Sequence, residues 1–149
     1  MALYPQACLH GPKALHKKRK DLNFSHTLTD TPHADWQQDV ELMTIEGSMM
    51  HETVFYHKPS KVLITCDVVE NFETSEHFLT RLWLKAGGCH GQIGWPRILR
   101  LVYLNRKKAR SSLQNLFDFP FEKVVIAHGD VLEKDARALL RKGLAWLNV

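Results

Sequence analysis

The sequence predicts an α/β layered fold, a mixed β-sheet flanked by helices in one domain over residues 1–149. Three observations carry the prediction. A length of 149 residues suits one domain, and a chain of that size buries roughly 70% of the surface its unfolded form exposes. Hydrophobic residues at 44% and charged residues at 24% are globular proportions. β-branched and aromatic runs fill the middle of the chain, helical spacing fills the second half, and one short apolar run returns near the end. The resulting order is β-α-loop-β-β-β-α-α-α-β-α.

Along the chain, ALYPQ (2–6) reads as a short strand and GPKALHKKRKDL (11–22) as a short basic helix with Pro12 near its first turn. Residues 23–38 are polar and turn-rich, a loop. VELMTIEG (40–47) alternates as a strand. TVFYH (53–57) and KVLITCDVV (61–69) are β-rich and joined by Lys58-Pro59-Ser60, a hairpin. The consecutive Val62, Leu63 and Ile64 predict burial on both faces of that second strand.

Helices follow. Residues 74–86 place Phe78, Leu79, Leu82 and Ala86 on one face, and Gly87-Gly88 stops the helix. Pro96 opens a short helix through RILRLVYL. Asn105 caps 106–117, whose buried stripe is Ala109, Leu113, Leu116 and Phe117. EKVVIAHGD supplies a strand at 123–127. The last helix carries Ala136, Leu139, Leu140, Gly143, Leu144 and Leu147 at helical spacing, and Asp130 and Glu133 have the three-residue offset of a capping box.

Composition narrows the function classes. No run approaches the ~20 apolar residues of a membrane span, so no membrane partner is expected. The first twenty residues place their charges after their few apolar residues, unlike a signal peptide. Three cysteines (Cys8, Cys66, Cys89), with no C-x-x-C pair, suit a reducing, cytoplasmic setting and exclude a disulfide framework or a four-cysteine zinc site. The net charge of +4 is unevenly spread: residues 81–117 hold eight basic residues and no acid. Solvated helix faces are the preferred reading of such runs. The alternative is a phosphate or nucleic-acid partner on Lys13–Lys20 or on Arg97, Arg100, Arg106, Lys107, Lys108 and Arg110.

Two strand ends draw attention. VLITCD ends in Asp67, and VVIAHGD ends in His128 followed by Gly129 and Asp130. Ligand groups tend to lie just past strand C-termini, where a rigid sheet aims them. A carboxylate and an imidazole meeting there would share a divalent ion.

The turn at Gly47, the hairpin FYHKPSKVLITCD, the segment GWPRILRL and the ending VIAHGD before a long helix resemble the C-terminal half of the metallo-β-lactamase superfamily, in a branch known only as a domain of unknown function. The resemblance implies one half of an αββα sandwich. It implies one or two metal ions, usually zinc, that activate water against an ester, amide or phosphoester. It makes Asp67 the bridging ligand and His128 of the His-Gly pair another.

The sequence also departs from that pattern. None of the nine histidines forms the H-x-H-x-D-H signature of the N-terminal half. The residue after Gly47, where a third ligand histidine should stand, is Ser48, a poor zinc ligand. His51 is the nearest substitute, offset by three residues. The expectation is therefore a truncated domain with at most one divalent ion on Asp67, His128 and His51. It reads as a vestigial or incomplete metal-dependent hydrolase of the ester or phosphoester class. The alternative is a non-catalytic binding or assembly module. A half-sandwich leaves an apolar sheet face uncovered. A homodimer is the favoured repair, ahead of a partner carrying the other half or rearranged helices.

Other residues have plainer readings. Glu52 beside His51 is expected to bond turn amides, with a supporting role near Asp67 as the alternative. Asp130 is expected to cap the last helix, and Cys66 to be buried. His10, His16, His26 and His33 show no ligand spacing and read as surface residues. Trp36, Trp83, Trp95 and Trp146 are expected to anchor helices to the sheet.

Overall fold

The computed structural model describes residues 3–149. Its strands are β1 (His10–Gly11), β2 (His26–Thr27), β3 (Val40–Thr44), β4 (Thr53–His57), β5 (Val62–Thr65), β6 (Glu70–Asn71), β7 (Ile93–Gly94) and β8 (Lys123–Ile126). Its helices are α1 (Lys13–Lys18), α2 (Phe78–Gly87), α3 (Arg106–Asn115) and α4 (Ala136–Leu144), with 3-10 turns at Arg97–Val102, Leu116–Asp118 and Ala145–Leu147. No strand forms over residues 3–6, and Ala2 of the expected first strand lies outside the described residues.

The main sheet has the order β3-β4-β5-β8. The first three strands are antiparallel neighbours, and β8 joins β5 in parallel. The mixed sheet and its helices are as predicted. Val54, Tyr56, Leu63, Val124 and Ile126 bury one face against Ala109, Leu113, Leu116 and Phe117 of the α3 region and Ala136, Leu140 and Leu144 of α4. Asn105 caps α3 as expected, its Oδ1 accepting from the Lys108 amide at 3.1 Å.

The second face explains how a lone sheet avoids a large exposed apolar surface. Leu42, Phe55, Ile64 and Val125 are register partners across all four strands. Leu42 is 4% exposed, Phe55 is half-buried, and Ile64 and Val125 are 41% and 38% exposed. The chain's own N-terminal segment lies over the β3 end, where the Thr44 amide donates to Asp30 Oδ1 at 2.8 Å and Pro12 and Leu28 line one cavity with Thr53 and Phe55. Only the β5–β8 end stays open. Ile64 is therefore not buried as the consecutive apolar run had predicted.

Two other expectations are corrected. The apolar stripe of α2 exists, but it points outward. Phe78, Leu79, Leu82 and Trp83 are all more than half exposed, and Leu84 alone is buried, so Trp83 anchors nothing. α4 begins at Ala136 rather than after Asp130. The intervening residues run back along β8, where Leu132 and Val124 exchange backbone hydrogen bonds of 2.9 and 3.0 Å.

Candidate metal centre

Asp67 and His128 lie two residues past neighbouring parallel strands. The β5–β8 register pairs Thr65 with Ile126, and the Ala127 amide donates to Thr65 O at 3.2 Å. Two further residues on each strand bring the side chains together, with His128 Nε2 3.0 Å from Asp67 Oδ1. Asp67 is partly shielded and His128 is exposed, so the pair opens to solvent at the sheet rim.

Cys66 is the third member. One ligand atom from each of Cys66, Asp67 and His128 lies within 4.8 Å of the other two, the only such group among the described residues. Cys66 is exposed, not buried. The reason is local. Leu63 and Thr65 take the buried side of β5 and Ile64 the open side, and Cys66, the next residue, follows Ile64 onto that open side. Partial shielding of the sulfur from water and then the neighbouring Asp67 push the Cys66 thiol up to about 11. It is therefore a poor free nucleophile at neutral pH.

Glu52 holds this corner. Its carboxylate accepts from the Cys66 amide at 2.6 Å and from the Asp67 amide at 2.9 Å. The turn-amide reading and the supporting reading thus coincide, because the amides are those of the site itself. Burial raises the Glu52 carboxyl to about 7 against the pull of the two amides, with Asp67 raising it further and His128 lowering it. Glu70 adds a second carboxyl. It is buried, its Oε2 has no hydrogen-bond partner, and burial raises its pKa, opposed by His128. Nothing in the apolar run around Glu70 marked it in the sequence.

The His128 loop is clamped from the other side. The Asn71 amide donates to His128 O at 3.1 Å, and the Asp130 amide to Asn71 O at 2.6 Å. Asp130 Oδ2 accepts from the Glu73 amide at 3.1 Å, so it ties this loop down rather than capping α4. His51 does not join the ligand group. It is exposed at φ 46° and lines a cavity of about 550 Å³ that also reaches Asp67. Ser48 is buried, with its hydroxyl accepting from the Met50 amide at 3.1 Å, a turn role.

Away from the rim, three histidines meet. The ring centroids of His10, His26 and His33 are 4.5–5.0 Å apart, with Trp36 5.7 Å from His10. Separation in sequence hid this cluster. Burial, then His26 and His33, lowers the His10 pKa, and Asp35 opposes the shift. In the interval between that folded value and the ordinary 6.5, the unfolded chain binds more protons. Stability from this group is therefore held above pH 6.5 and lost as pH falls through the folded value. The protection of the Ser25 and Leu28 amides, which bond the β1 region, measured against intrinsic exchange at each pH, is expected to fall below pH 6.5. A His10→Gln variant is expected to lose that dependence.

No family model matches the chain, and no curated protein sequence does. Solved structures do. A metallo-beta-lactamase from Pontibacter korlensis superposes at a TM-score of 0.60 and 17% identity, covering 98% of this chain and 60% of that one. The DIM-1 metallo-beta-lactamase gives 0.58 at 17% identity, covering 94% and 57%. VMB-1 gives 0.57 at 14% identity, covering 93% and 55%. The fold is therefore metallo-β-lactamase-like, corresponding to somewhat more than half of those chains.

Proposed function

We propose that this chain carries part of a metal-dependent hydrolase centre of the ester or phosphoester class, built on Asp67, His128 and Cys66. The observation that supports this is the convergence of one oxygen, one nitrogen and one sulfur donor within 4.8 Å at the rim of a metallo-β-lactamase-like sheet. That donor set suits zinc, and three protein ligands are what a catalytic zinc needs. When bound, the ion supplies Lewis acidity toward an ester or phosphoester oxygen. Glu52 fixes the backbone that presents Cys66 and Asp67, and Asn71 fixes the loop that presents His128.

A second copy of the chain completes the substrate side in this reading. The open Ile64–Val125 end of the second sheet face adjoins the strand ends that carry the centre. Metal analysis of purified protein tests the whole. About one zinc per chain is expected, reduced at least tenfold in affinity by Asp67→Ala and by His128→Ala, in a sample with the mass of a dimer. A chain that takes up neither zinc nor cobalt, with unchanged stability, would instead be a non-catalytic assembly module.

A further inference from the structure

The strongest feature the metal centre leaves unused is the outward face of α2 and the 3-10 turn beside it. Phe78, Leu79, Leu82 and Trp83 follow the i, i+1, i+4, i+5 spacing of one helix face and are 54–65% exposed. Ile98, Leu101 and Leu104 are 67–74% exposed. Ile98 and Leu101 share one side of the 3-10 turn, which repeats every three residues, and Leu104 follows just beyond its end. Trp83 of α2 and Arg97 and Ile98 of the 3-10 turn line one cavity, so the two elements adjoin on this side. Their combined apolar exposure exceeds the scattered exposure normal for a soluble chain.

The charged residues within the two elements are all of one sign. Arg81 and Lys85 lie on α2, and Arg97 and Arg100 on the 3-10 turn. None of the four has a carboxylate within 4.0 Å among the described residues, and residues 77–117 contain no acid. A two-fold contact between copies would set these cations against themselves in part-desolvated surroundings, an unfavourable arrangement. An exposed apolar surface that includes an indole and carries unpaired cations suits a lipid surface.

We propose that this face docks on a bilayer rich in anionic lipid, lying in the headgroup region. α2 has ten residues, which is about 15 Å of helix, half of what a crossing needs. The apolar side chains enter the acyl boundary, and Arg81, Lys85 and Arg97 meet lipid phosphates.

Vesicle flotation tests this. The protein is expected to float with phosphatidylcholine vesicles containing phosphatidylglycerol and to stay behind with phosphatidylcholine alone. Added salt is expected to release it. The double variant Leu82→Ser, Leu101→Ser changes only exposed positions. It should melt like the parent yet partition at least tenfold less. Arg81→Gln should weaken partitioning about fivefold, the worth of one cation near an anionic surface. Equal binding to both vesicle types, no binding to either, or parental binding by the double variant would overturn the proposal. So would a dimer that the double variant dissociates, which would make the patch a contact between copies.

Discussion

Replacing Gly129 with alanine is expected to cost at least ~3 kcal/mol of stability and to displace His128. Gly129 adopts φ 114°, a region that L side chains rarely occupy, and a Cβ there would lie 2.0 Å from Asn71 O and 2.4 Å from Asn71 C. The obstruction is backbone, so no side-chain rotation relieves it. Asn71 would have to withdraw, giving up its bonds to His128 O and the Asp130 amide, and β6 would move with it. Gly88→Ala is the control. Gly88 also has positive φ, at 79°, but its added Cβ would meet the flexible Arg97 guanidinium at 3.4 Å. Only the left-handed backbone penalty of ~1–2 kcal/mol is expected there. Urea unfolding of both variants separates the cases. A Gly129→Ala protein that unfolds like Gly88→Ala and keeps the parental zinc affinity would show that the clamp does not hold the histidine.

The legible parts of the sequence were those where local pattern and tertiary context agree. β4 is found at residues 53–57 as read, the Lys58-Pro59-Ser60 turn joins it to β5, and the α3 stripe is buried. Asp67 and His128 were legible because each closes an apolar strand run with a polar side chain, and the parallel register then carries both strands past the end of the sheet by the same count. What stayed hidden depends on partners distant in sequence. Period alone cannot say which way an amphipathic helix faces, and α2 shows its stripe to solvent because nothing in this chain covers it. Cys66 was misplaced because the apolar run before it was read as buried on both faces, whereas the side shared by Ile64 and Cys66 is open at this end of the sheet. Asp130 was assigned to α4 because Leu132's return along β8 has no local signal.

Glu52→Ala is expected to be the most damaging change at the metal centre that removes no ligand. The β4–β5 register pairs Phe55 with Ile64, and three residues further along each strand Glu52 stands opposite Asp67. From there its two oxygens reach the adjacent amides of Cys66 and Asp67. Truncation leaves both donors without a partner. At ~1–3 kcal/mol per unpaired buried donor, discounted because Cys66 lies at the surface, the expected loss is ~2–4 kcal/mol. Zinc affinity should fall 10- to 100-fold, the usual effect of removing a group that orients ligands. Glu52→Gln retains one carbonyl oxygen for one of the two amides and presents its carboxamide NH2, itself a donor, to the other, so it should fall between the parent and the alanine variant in both measurements. The informative comparison is between the readouts. If Glu52→Ala unfolds earlier in urea but binds zinc as the parent does, the carboxylate holds only the turn. If both fall together and Glu52→Gln restores both in part, the same two hydrogen bonds that fold this corner also aim its donors.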